Sequence, residues 1–192
     1  MRITIDLSEN DLDHFRQAMK RAKEAAKDLA PEQIASAARQ LLADSQDVEL
    51  PEFIAARLAK LDTMINMATD TSWGISDGER REILSALTYF ADPQDAIPDD
   101  VPVLGFLDDA IMIELVVEEL KHELDAYEDF LAFRAQAAEE SGVEFAGGLN
   151  RQDWLQSRQE ELLDRMRRRR GRDSGGYGGS RSGGGFSLFS VR

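Results

Sequence analysis

Apolar residues recur along most of this chain at intervals of three and four, the spacing that lines one face of a helix. Leu12, Phe15, Met19, Ala22 and Ala26 form the first such stripe. Ser8 and Asp11 stand before it at capping-box spacing, with Leu7 and Leu12 placed as a hydrophobic staple, so a helix is predicted to begin near Glu9. Ile34, Ala38 and Leu41 follow Pro31, a residue suited to the first position of a helix. Pro51 opens a third stripe, Ile54, Leu58, Leu61 and Ile65, with Met64 and Met67 beside it as adaptable core filler. The polar segment 69–76, which contains Trp73 and Gly74, closes that helix. Ser76 and Glu79 make a second capping box, ahead of Ile83, Leu87 and Phe90.

From Asp109 to about Glu140 the pattern predicts one long helix. Its seam of Val117, Leu120, Leu124, Tyr127 and Leu131 steps by three and four, as a heptad does. The seam is too short for an extended coiled coil, which favours packing inside the body, with a homo-oligomer as the alternative. Gly147 and Gly148 interrupt the pattern, and Trp154, Leu155, Leu162, Leu163 and Met166 predict a short final helix running into Arg167–Arg170. At the other end, Ile3, Ile5 and Leu7 alternate with polar residues, which gives a short extended arm with no second strand to pair with. The expected fold is therefore all-α: a compact helical bundle with an N-terminal extended arm and a disordered glycine- and arginine-rich C-terminal tail, divided as residues 1–164 and 165–192.

Between Tyr89 and Asp109 three prolines, a glycine and six aspartates break the helical pattern. Tyr89, Phe90, Ile97, Val101, Val103, Leu104, Phe106 and Leu107 lie in the same stretch, and so many apolar residues imply a connector held in shape by packing rather than a flexible linker.

Charge divides the chain unevenly. The net charge is −14, yet residues 165–192 carry +7, leaving −21 on residues 1–164. An acidic body repels nucleic acids and anionic lipids, so only the tail suits either. The absence of cysteine excludes disulfides and thiolate metal sites and fits a reducing cytoplasm, the expected location. Residues 1–7 lack the basic and apolar regions of a secretory signal. The apolar run around 101–117 is broken by Asp108, Asp109 and Glu114, far short of the roughly 20 apolar residues of a membrane span. An integral membrane protein is not expected.

Tyr89-Phe90, Pro93-x-Asp95-x-Ile97-Pro98-Asp99, Pro102, Gly105 and Asp108-Asp109 together resemble the signature of the YkvA-like domain family, over about residues 80–120. The family is bacterial and of uncharacterised function, so the resemblance implies no activity. Its members are often labelled membrane proteins on hydropathy, which the charge pattern here does not support. Gln94, Ala96 and Asp100 stand where bulkier apolar residues are common in the family.

Asp95, Asp99, Asp108 and Asp109 are the candidate metal ligands, because Mg²⁺, Mn²⁺ and Ca²⁺ take several carboxylate oxygens. With a bound phosphate ester such a site supports metal-dependent hydrolysis. The competing and favoured reading gives the acids local structural work: Asp92 and Asp99 in turns, Asp108 or Asp109 capping the long helix and opposing its positive amino end. His122, one turn after Glu118, is read as part of a solvated face. No nucleophilic triad or nucleotide-binding glycine motif is present.

In the tail, Arg167, Arg168, Arg169, Arg170, Arg172 and Tyr177 resemble arginine- and glycine-rich segments that bind RNA or single strands by charge and stacking. The same arginines are equally suited to folding back on the acidic body. Phe186, Leu188, Phe189 and Val191, set behind a glycine spacer, have the layout of a docking peptide. The primary expectation is a non-enzymatic protein that recruits a protein partner through this tail. The alternatives are a divalent-metal hydrolase built on the aspartates and tail-mediated binding of RNA or another anionic surface.

Overall fold

The computed structural model describes residues 8–25, 29–91, 106–139 and 151–175. The predicted arm, the connector from 92 to 105 and the last seventeen residues lie outside them. The described residues form seven α-helices: α1 (Glu9–Ala25), α2 (Pro31–Ser45), α3 (Glu52–Thr69), α4 (Asp77–Ala86), α5 (Leu107–Glu119), α6 (Lys121–Glu139) and α7 (Arg151–Gly175). Short 3-10 segments, Thr71–Trp73 and Leu87–Ala91, follow α3 and α4. No strand occurs among the described residues, as expected of an all-α fold.

Both capping boxes form. Ser8 N–H donates to Asp11 Oδ2 at 2.8 Å and Asp11 N–H to Ser8 Oγ at 3.3 Å. Ser76 and Glu79 exchange the same pair of bonds at 2.8 and 3.2 Å. Pro31 occupies the first turn of α2, whereas Pro51 is itself the cap of α3 and stands one position outside the helix.

The core lies where α3 and α5 meet, with α2, α4 and α6 around them. All four stripe residues of α3 are buried, and Met64 and Met67 are wholly inside. α5 has little polar face: Ala110, Ile111, Met112, Ile113 and Val116 are all buried, as suits a helix surrounded by others. Trp73 is completely buried, its ring 5.6 Å from that of Tyr127 and 5.0 Å from that of Phe130.

Three expectations are corrected. The helix predicted from Asp109 to Glu140 is two, because Leu120 leaves helical backbone geometry (φ −103°, ψ 17°). Its N–H still bonds Val116 O, and Leu124 N–H bonds Leu120 O, both at 2.9 Å, so hydrogen bonds carry across the break. Leu120, Leu124 and Tyr127 of the heptad-like seam are buried inside this one chain. Secondly, α7 runs through residue 165 to Gly175, so the helical body extends well past 164. Finally, the N-cap of α5 is Phe106, which makes no side-chain cap bond, while Asp108 and Asp109 sit within the first turn.

Candidate functional site

α7 docks mainly on α6. Leu162, Leu163 and Met166 supply its buried stripe. Gln159, on the same side, donates its amide to the Trp73 carbonyl at 2.7 Å. It passes close over Gly74, whose left-handed backbone (φ 69°) and missing Cβ make room for it.

Arginines flank this stripe. Arg167 grips Glu79 with two bonds, Nε to Oε1 at 2.8 Å and Nη2 to Oε2 at 3.0 Å. Glu79 is thus both the capping-box acid of α4 and the seat of α7. The Arg167 guanidinium and the Ser76 N–H and hydroxyl hold its carboxyl down at about 2, against the opposing effect of burial. Arg170 reaches Glu82 at 2.7 Å and Glu123 at 3.0 Å. Burial disfavours its charge, but those two carboxylates prevail and raise its pKa. Glu123 is buried, and its second oxygen has no hydrogen-bond partner among the described residues, so Arg170 is its neutralising contact.

Along α6 the contacts follow an antiparallel register. Arg165 pairs with Asp129, Arg169 lies 3.9 Å from Asp125, and His122 Nε2 is 2.7 Å from Asp173. His122 is therefore mostly covered, with a side chain 17% exposed, which corrects the solvated-face reading. Its partner is the acid at the end of α7, and no acid of its own helix pairs with it among the described residues. Arg168 and Arg172 face solvent, and Arg168 Nε returns to the Asp164 carbonyl at 3.2 Å.

A second polar cluster lies on the same body. Asp70 accepts from Ser72 N–H at 2.9 Å, Tyr127 O–H at 3.2 Å and Arg134 Nη1 at 2.8 Å. Burial and the neighbouring Asp70 carboxylate push the Tyr127 hydroxyl up to about 12. These groups border an open cleft of about 520 Å³ with Asp62, Asn66 and Leu131. The Asp70 carboxylate is occupied by protein donors, and a hydroxyl this reluctant to ionise is a poor base, so the cluster serves as a knot joining α3, α6 and the turn at Trp73.

Of the four aspartates proposed as metal ligands, Asp108 and Asp109 are buried side by side, and Tyr89 O–H donates to Asp108 Oδ2 at 3.3 Å. Asp95 and Asp99 lie outside the described residues. Of the tail residues, Arg167, Arg168, Arg169, Arg170 and Arg172 are all on α7, whereas Tyr177, Phe186, Leu188, Phe189 and Val191 lie beyond it. The acidic partners Glu79, Glu82, Glu123, Asp125 and Asp129 were not singled out as arginine partners from the sequence. Their signal was there: Asp125 and Asp129 are four apart, matching Arg165 and Arg169.

No helix among the described residues is long and apolar enough to cross a membrane. No curated protein and no solved structure matches this chain. Residues 80–115, from the middle of α4 through the connector and into α5, match the family described as protein of unknown function (DUF1232), consistent with the YkvA-like signature read from the same residues.

Proposed function

We propose that this chain is a non-enzymatic binding protein whose helical body holds α7 in place so that residues 176–192 are offered to a protein partner. The observation that carries this reading is the seating of α7. The helix is gripped on one flank by Glu79 and on the other by Asp125, Asp129 and His122, the last contact falling at Asp173. The seventeen residues beyond Gly175 therefore start from a fixed point. They begin with glycines and end in Phe186, Leu188, Phe189 and Val191, a spacer followed by apolar anchors. A cysteine-free acidic chain of this kind suits the cytoplasm.

Cross-linking of the full chain and of a chain ending at Gly175, followed by mass spectrometry, tests the reading. The shortened chain is expected to melt at the same temperature and to lose a specific partner that a synthetic 176–192 peptide captures alone. Retention of every partner by the shortened chain overturns it.

A further inference from the structure

We propose that the open cleft between α3 and α6 is a binding site for a short peptide with free ends, its carboxylate held by Arg134 and its ammonium by Asp62. The site lies apart from residues 176–192 and does not depend on their docking.

Arg134 and Asp62 both line the cleft. Arg134 Nη1 is spent inside the protein, on Asp70 at 2.8 Å and on Ser72 Oγ at 2.9 Å. Its Nε and Nη2 have no hydrogen-bond partner among the described residues, and the side chain is 42% exposed. Arg167 grips Glu79 with the same pair of nitrogens, so a second carboxylate can fork onto Arg134 while the bond to Asp70 stays. No internal partner has to be displaced.

Asp62 stands two turns before Asp70 on α3, about 12 Å away along the helix axis. It is exposed, accepts from Asn66 Nδ2 at 3.1 Å and has no cation paired with it among the described residues. The cleft thus offers a cationic fork at the Asp70 end and an unneutralised carboxylate at the other. A free amino acid carries both its charges on one carbon and cannot reach both groups. Three extended residues span about 10 Å, and the Arg134 and Asp62 side chains close the remainder.

Between these ends the open atoms are acceptors. The Thr63 hydroxyl donates to Ala59 O at 3.1 Å and Asn66 Nδ2 is committed to Asp62, which leaves the Thr63 and Asn66 oxygens to accept. A peptide brings N–H donors to them, whereas a dicarboxylate or a nucleotide brings further acceptors and a charge that Asp62 repels. Leu131 supplies an apolar wall for a small side chain. The volume of about 520 Å³ falls within the roughly 300–1,000 Å³ usual for small-ligand sites.

Isothermal titration calorimetry of the full chain with trialanine tests the proposal, against N-acetyl-trialanine, trialanine amide and 6-aminohexanoate. Trialanine is expected to bind with a Kd of about 1 mM or tighter, and each blocked peptide about tenfold more weakly. Asp62→Asn, which leaves the bonds of Asp70 untouched, is expected to weaken trialanine by about tenfold and to leave N-acetyl-trialanine as it is in the parent. Arg134→Lys keeps a charge beside Asp70 but loses the fork, and is expected to abolish the preference for trialanine over its amide. Should that variant fail to fold, Asp62→Asn decides. Absence of heat from trialanine at about 10 mM overturns the proposal, as does equal binding of either blocked peptide. 6-Aminohexanoate carries the two charges without the amides and is expected to bind more weakly; binding as tight as that of trialanine overturns the assignment to a peptide.

Discussion

Around α3 and α5 the side chains of Met64, Ile65, Met112 and Ile113 are wholly buried, and the helices are fastened by apolar contact. The far end of α7 is held differently: none of residues 167–173 is buried, and its contacts there are guanidinium, carboxylate and imidazole groups. Apolar packing is insensitive to salt at moderate concentration and nearly independent of pH, whereas exposed ion pairs weaken with both. One molecule thus has a permanent interior and a seat for α7 that its surroundings can tune. The matched segment 80–115 touches both, since it holds Glu82 at the α7 seat and Met112 and Ile113 in the core.

The largest difference between the two regions should appear on truncating Trp73. Trp73→Ala removes a fully buried ring packed on Tyr127 and Phe130 and is expected to cost about 3–5 kcal/mol in urea denaturation. A loss below about 1 kcal/mol would mean that the interior is not close-packed there.

Acid should act next, on the α7 seat. Glu79 has its carboxyl pKa lowered from 4.5 to about 2, so the folded state binds its proton less readily than the unfolded one. The stabilisation is fully present above pH 4.5 and is lost as pH falls towards 2. Because Arg167 is 47% exposed, the loss is discounted to on the order of 1–3 kcal/mol. Glu79→Gln should be less stable at neutral pH and should lose that part of the acid dependence. A variant with an unaltered acid profile would remove Glu79 as the seat.

A smaller effect is expected at Gly74. Gly74→Ala places a methyl group against the Gln159 amide and strains a backbone at φ 69°. Movement of the flexible Gln159 end relieves the clash, leaving a cost of about 1–2 kcal/mol for the strain and the lost bond to Trp73. Calorimetry of the variant checks this, and an unchanged melting temperature would show that Gln159 does not tie α7 to the turn.

Periodicity and capping made much of the helical body legible from sequence. The Ser8–Asp11 and Ser76–Glu79 boxes and the stripe of α3 form where spacing alone placed them. The break at Leu120 was not legible, because neither glycine nor proline marks it and the apolar steps continue through it. The same holds for the end of α7. Gly171 and the composition after it read as the start of disorder, but α7 continues to Gly175, and His122 and Lys121 of α6 meet it at Asp173. Such partners are distant in sequence, so local composition could not show them. The arginines suited both RNA binding and a return to the acidic body, and the structure records the second contact.

Hydrogen exchange of the full chain in low and high salt probes the contrast between the two regions most directly. Amides of residues 167–175 are expected to exchange much faster at 1 M salt, where the screening length is about 3 Å, while those of α3 stay protected. Equal protection of 167–175 at both salt concentrations would contradict a charge-held seat and would mean that apolar packing fastens α7 along its whole length.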